Sequence, residues 1–214
     1  MPAVRVVRLS AGPARAVGEL LSILYPPSGP AGTTDRYTLV YSSSLECDAA
    51  AEMARELDVP MAASAPAAAL DDPRTAYAQA IGLIYTTPRG DVREKDRLAA
   101  AESGLVRIMQ SSNEPRRRRW AAGMIAAYIR GDRLNDYDRA EEYLDAARQA
   151  AEPGSLERAE VQYALSRVYI HNGKPDLARD TLAQLIAPAG RFRGTEVLRR
   201  AEETRAELER KRRR

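Results

Sequence analysis

The chain has 214 residues, long enough for one large domain or two small ones, and its 33 basic side chains nearly balance its 30 acidic ones. No overall field compels a nucleic-acid reading; the excess sits at the C-terminal end, in Arg210, Lys211, Arg212, Arg213 and Arg214. One cysteine, Cys47, excludes an intrachain disulfide, a thiolate metal cluster and a redox pair, and one histidine, His171, all but excludes a histidine metal site.

No apolar run approaches the roughly 18 residues of a membrane-spanning helix. Arg5, Arg8, Arg15 and Glu19 interrupt the stretch where a signal peptide would need its apolar core, and Glu46 stands where a lipoprotein site before Cys47 would need a small residue. The expected location is cytoplasmic.

Val4 to Leu9 is rich in β-branched residues and predicts a strand. A helix is predicted from Pro13 to Leu24, with Val17, Leu20, Leu21 and Leu24 on one face, stopped by the Pro- and Gly-rich run after Tyr25. Tyr37 to Tyr41 predicts a second strand. Ser43 and Glu46 then have capping-box spacing at the head of a helix to about Leu57. The order β-α-β-α predicts a small α/β portion over residues 1–58, either a two-stranded parallel unit or strands lent to a neighbour's sheet. The alternative is that these helices begin the array that follows. Residues 59–71, rich in Ala and Pro, read as a linker.

From Asp72 the pattern is helical throughout. Asp72-Pro73 opens a helix to about Tyr85, and a second runs from about Asp91 to Gln110. A third, capped by Asn113-Glu114-Pro115, runs through Trp120 to Ile129. After a turn at Gly131 to Asn135 come helices over Tyr137–Ala151, Leu156–His171 and Pro175–Ile186, and a last one from about Thr195. Breaks recur at helix-hairpin spacing, so the fold class is mainly α: stacked hairpins over residues 72–190, then a charged capping helix and basic tail over 191–214. In that last helix Val197, Leu198, Ala201 and Leu208 form a narrow apolar stripe, and Glu196–Arg200, Glu207–Lys211 and Glu209–Arg213 have the favourable i, i+4 order.

The segment Glu157 to Ile186 resembles a tetratricopeptide repeat. Leu165 and Tyr169 stand on its first helix, Gly173 in the turn, Ala178, Leu182 and Leu185 on the second helix, and Pro188 near the end. A preceding copy carries Trp120, Gly131, Tyr137, Ala140, Leu144 and Ala147, with about four extra residues in its turn, and a weaker one carries Ile81, Gly82, Tyr85, Leu98, Ala101, Leu105 and Ile108. The small anchors Ala101, Ala140 and Ala178 lie 39 and 38 residues apart; the family period is about 34. The resemblance spans about residues 73–190. A general α-solenoid of small and apolar residues would read similarly.

In this family the first helices line the binding groove. Carried over, the groove residues are Gln79 and Leu83, then Arg118, Ala122, Ile125 and Ile129, then Tyr163, Arg167, Ile170 and His171. Members that clamp a peptide's C-terminal carboxylate have Lys, Asn and Arg at positions that here hold Gln79, Ala121 and Tyr163, so that activity is not supported.

No catalytic constellation emerges, and no cofactor is implied. Ser10-Ala11-Gly12 lacks the phosphate-loop patterns, Ser42 to Ser44 have no histidine in their segment, and Cys47 reads as a small buried hydrophobe. Arg116, Arg117, Arg118 and Arg119 point in four directions around a helix, and as a patch they compete with a reading as solvated, locally paired residues. His171 suits either a helix C-terminus or a ligand contact. The expected function is a non-enzymatic scaffold or adaptor that binds a protein segment in its groove, as a subunit of a larger assembly. The alternatives are a nucleic-acid-associated protein using the Arg-rich clusters, and an enzyme with an unrecognised N-terminal site.

Overall fold

The computed structural model describes residues 5–10, 14–27, 36–41, 43–56, 73–187 and 190–212. Along the chain these form β1 (Arg5–Ser10), α1 (Ala14–Leu24), β2 (Arg36–Tyr41), α2 (Ser44–Glu56), α3 (Pro73–Thr86), α4 (Glu94–Gln110) and α5 (Arg116–Tyr128). A π-helical turn (Ile129–Arg133), α6 (Tyr137–Ala150), α7 (Leu156–His171), α8 (Pro175–Ile186) and α9 (Glu196–Arg212) complete them. The predicted linker at 59–71 and the Asp72 cap lie outside the described residues.

From α3 to α9 each helix packs on the next, the neighbour-by-neighbour order of a solenoid. Local chemistry sets the ends. Asp136 and Ser155 accept from the backbone N–H of Arg139 and Arg158, and Pro175 opens α8. Gly173 supplies the positive φ of the α7–α8 turn, whose Asn172 and Lys174 side chains bind Asp138 and Glu141 of α6 at 2.7 and 2.8 Å. Before α5 the expected cap is absent: the N-cap is Pro115, which has no side-chain bond to give, and Glu114 pairs with Arg118 at 3.4 Å instead.

The first stretched interval, from Ala101 to Ala140, contains an irregular turn at the end of α5. Instead of a plain turn over Gly131 to Asn135, the chain widens into the π-helical turn, and Leu134 N–H donates five residues back to the Ile129 carbonyl at 3.1 Å. Arg130 is thereby aimed at Glu102, which it grips with two bonds of 2.6 and 2.8 Å. Arg133 donates to the Ile84 and Thr87 carbonyls at 2.8 and 2.6 Å and pairs with Glu94. The extra residues therefore tie this hairpin to the one before it.

The N-terminal part differs from the α/β unit expected for residues 1–58. Its two strands pair antiparallel, from Arg5 opposite Tyr41 to Ser10 opposite Arg36, so the expectation of a parallel unit is corrected. Alternating apolar residues define a strand but carry no direction, and the residues between α1 and β2 are numerous enough to return the chain either way. These elements also share one continuous core with the repeat helices. Helix α1 packs against α3 and α5, with Leu20, Leu21 and Leu24 buried, and the Tyr25 ring lies 5.4 Å from Trp120.

At α5 and α6 the packing leaves no room. A Cβ on Gly123 would stand 2.9 Å from that of Ala147 and 3.0 Å from the Tyr143 carbonyl oxygen. Gly123→Ala is therefore expected to cost about 1–3 kcal/mol of stability through overpacking, read as a lower denaturation midpoint at unchanged slope. A midpoint equal to that of the parent chain would mean that the two backbones are not in contact.

Candidate functional site

Helix α7 carries the site because Tyr163, Arg167 and His171 recur every fourth residue and so stand in line on one face. His171 stacks on Tyr137 of α6, ring centroids 5.0 Å apart and planes within 4°. Arg167 reaches Asp132 in the π-helical turn at 3.3 Å. Tyr163 lies 3.5 Å from the Thr204 hydroxyl and under the Arg200 guanidinium of α9, 4.3 Å from its ring centroid. All three line a cavity of about 480 Å³, whose other walls include Tyr128 at the end of α5, Asp132 in the π-helical turn, Arg200 of α9, and Ser22, Ile23 and Pro26 from α1 and its end.

The remaining predicted groove residues fall elsewhere. Ile125 and Ile129 are 0 % exposed, and with Ala122 they belong to the core. Their assignment as open groove is corrected by that burial; on α5 the cavity is lined by Met124, Ala127 and Tyr128 instead. Ile170 is half-buried against the core, as is Leu83. Arg118 pairs with Glu114, and its carbonyl accepts from the Tyr77 hydroxyl. The Gln79 side chain lies outside the described residues.

The Arg-rich cluster at the head of α5 is largely engaged in the fold. Arg117 is drawn inward: it donates to Glu52 at 2.6 Å, to the Ala49 carbonyl at 2.8 Å and to the Tyr25 hydroxyl at 3.2 Å. Arg116 stands 3.9 Å from Glu152, and Arg119 is half-buried. Arg210, Lys211 and Arg212 are exposed, with Lys211 on Glu207 at 2.8 Å; Arg213 and Arg214 lie outside the described residues, as do Ala11, Gly12 and Ser42. Cys47 is buried. Among the described residues there is no cluster of His, Cys, Asp and Glu fit to hold a metal ion, and no helix long and apolar enough to cross a membrane.

Glu160 and Arg200 at the cavity wall, and Glu46 behind them at the head of α9, were not legible as a group. Glu46, read as the partner of Ser43 in a capping box, instead reaches across the molecule and accepts from the backbone N–H of Glu196 and Val197, at 2.6 and 3.4 Å. It caps α9 rather than its own helix, and places negative charge at that helix's positive end. Arg200, read as the i, i+4 partner of Glu196, turns inward to Tyr163 and to Glu160 at 3.9 Å, and Arg199 takes Glu196 in its place. Glu160 is 2 % exposed, and its Oε1 has no hydrogen-bond partner. The one available signal was an acid on a helix turn otherwise lined by Leu156, Ala159 and Val161.

With this geometry in place, comparison with known families is informative. The family model described as tetratricopeptide repeat matches residues 133–192. Those residues form a tetratricopeptide-repeat-like region. It runs from the end of the π-helical turn through α8, and so contains Tyr163, Arg167 and His171, whereas the copy read around Ile81 to Ile108 lies outside the match. No family match covers the N-terminal part. No curated protein and no solved structure matches the chain. Repeats of this kind serve protein–protein interaction in general, and the proteins that carry them are in general non-enzymatic scaffolds.

The buried acids make the fold sensitive to pH. Burial pushes Glu160 up to about 8; Arg200 opposes the rise, and Glu46, Glu196 and Glu157 add to it. Burial likewise pushes Glu46 up to about 7 against its two backbone hydrogen bonds and Arg200. Unfolded, both titrate near the ordinary carboxylate value of about 4.3, so the folded chain holds these protons more tightly. Their contribution is full below that value and is lost as pH rises through about 7 and about 8. Melting temperature is expected to fall over that window, and Glu160→Gln, which cannot ionise, should flatten the fall and exceed the parent chain at the alkaline end. Parallel melting profiles for the two proteins would exclude Glu160 as a titrating group.

Proposed function

We propose that the chain is a non-enzymatic helical-repeat scaffold or adaptor. It takes up a segment of a partner protein in the cavity beside α7, and it serves as a subunit of a larger assembly. The observation that carries this reading is the alignment of Tyr163, Arg167 and His171 along α7, inside the repeat-like region, all three at the wall of one open cavity.

The chemistry of the walls supports it. Tyr128, Tyr163 and the Tyr137–His171 stack supply rigid amphipathic surface, and Arg167 and Arg200 supply directional donors. Such a mixture suits an extended or amphipathic segment that buries an apolar side chain and keeps polar contacts at its edges. A volume of about 480 Å³ admits a few side chains and not a folded domain.

Replacing Tyr163 and Arg167 together by Ala is expected to weaken capture of the native partner by about tenfold or more. The partner is first identified by affinity purification of the intact chain from its own cells. Far-UV circular dichroism and the melting temperature of the variant separate lost contacts from lost fold, and Arg167→Glu, at an exposed position, supplies a second variant that spares the core. A folded double variant that captures the partner as well as the parent chain would remove this cavity as the binding site.

A further inference from the structure

The cavity beside α7 carries an imbalance of charge that its own side chains do not resolve. Arg89, Arg167 and Arg200 line it, against Asp132 and Glu160. Asp132 is already held by Arg167. Glu160 stands 3.9 Å from Arg200, beyond hydrogen-bond distance, and burial keeps its carboxyl largely protonated at neutral pH. The Arg200 side chain is 22 % exposed, its Nε has no hydrogen-bond partner, and its plane is held over the Tyr163 ring. A guanidinium so oriented, half-desolvated and with no acid of its own within hydrogen-bond distance, is set up to receive one, since a charge-assisted pair with a carboxylate is strongest where water is partly excluded.

We propose that the segment taken up in this cavity is acidic, and that one of its Asp or Glu side chains seats on the Arg200 guanidinium above Tyr163. This rests on the reading of the cavity as a protein-segment site and specifies its ligand. Arg89, exposed in the α3–α4 turn, adds a second cation at the rim for a further acid along the same segment. The apolar side chains between those acids meet Tyr128 and the Tyr137–His171 stack. A polypeptide fits better than a nucleic acid, because a phosphate backbone calls for a run of cations along a surface. Here Arg116, Arg117 and Arg118 already face Glu152, Glu52 and Glu114.

The test offers the full chain a pool of short randomised peptides, capped at both ends so that any carboxylate is a side chain. Retained peptides are expected to share an Asp or Glu beside an apolar residue, and a representative one should lose about tenfold in affinity when that acid becomes Gln. Arg200→Gln should abolish the preference for the acid, Arg200→Lys should restore part of it, and Arg89→Gln, at an exposed position that does not threaten the fold, should weaken binding and its salt dependence. Retention of neutral or basic peptides, sensitive to Tyr163→Ala but not to Arg200→Gln, would overturn the acidic ligand and leave the cavity as a segment site. Retention of no peptide would overturn both. A single-stranded RNA that binds the chain and is lost in Arg200→Gln would assign the cavity to phosphate and overturn the proposal.

Discussion

A stack of helix hairpins has an apolar inner face that must be covered, and in this chain α1 covers much of it. Leu20, Leu21 and Leu24 supply the covering surface, and each such side chain, fully buried, contributes about 1.5–3 kcal/mol. Tyr25, at the end of α1, fixes the orientation. Its ring meets Trp120, its carbonyl accepts from the Tyr41 hydroxyl at 3.0 Å, and its hydroxyl accepts from Arg117 and donates to Glu157. One residue thus links β2, α5 and α7.

The shape of the site follows. Where α1 lies, the inner face is core; where α1 ends, at Ser22, Ile23 and Pro26, the cavity begins. The cavity is closed on its far side by α9, whose N-terminus is held by Glu46 from α2. Helices α2 and α9, far apart in the chain, are therefore joined by a carboxyl group on a helix end, a contact well suited to a half-polar interior because it satisfies donors that would otherwise be orphaned. The same junction gathers Glu46, Glu160 and Glu196 around Arg200. Removing acids from water is costly, and burial raises the carboxyls of Glu46 and Glu160 well above the ordinary carboxylate range. At the cavity wall the nearest of these acids, Glu160, stands 3.9 Å from Arg200, beyond hydrogen-bond distance.

The π-helical turn after α5 matters for a related reason. It supplies Asp132, which holds Arg167 out along the cavity wall, and it sends Arg130 and Arg133 back into the preceding hairpin. Cavity wall and hairpin stacking are therefore coupled through five consecutive residues.

Much of the helical half was legible from residues alone. Apolar period, proline and glycine breaks, and the spacing of Ala140 and Ala178 marked the helices, and the fourfold spacing of Tyr163, Arg167 and His171 put them on one face. Such signals are local: they report which residues share a side of a helix, and which backbone groups need a cap. What faces that side is a matter of contacts between segments far apart in the chain. So Ile125 and Ile129 share the groove-facing side in the pattern yet are fully buried in the core, Glu46 has the spacing to cap its own helix yet caps one 150 residues away, and Arg200 has an acid at the favoured spacing yet turns to Tyr163. In each case a local partner and a distant one were both chemically adequate. The sequence by itself determined the helices and the line of side chains on α7; only the tertiary structure decided which part of the inner face is filled, because burial goes to whichever segment excludes the most water.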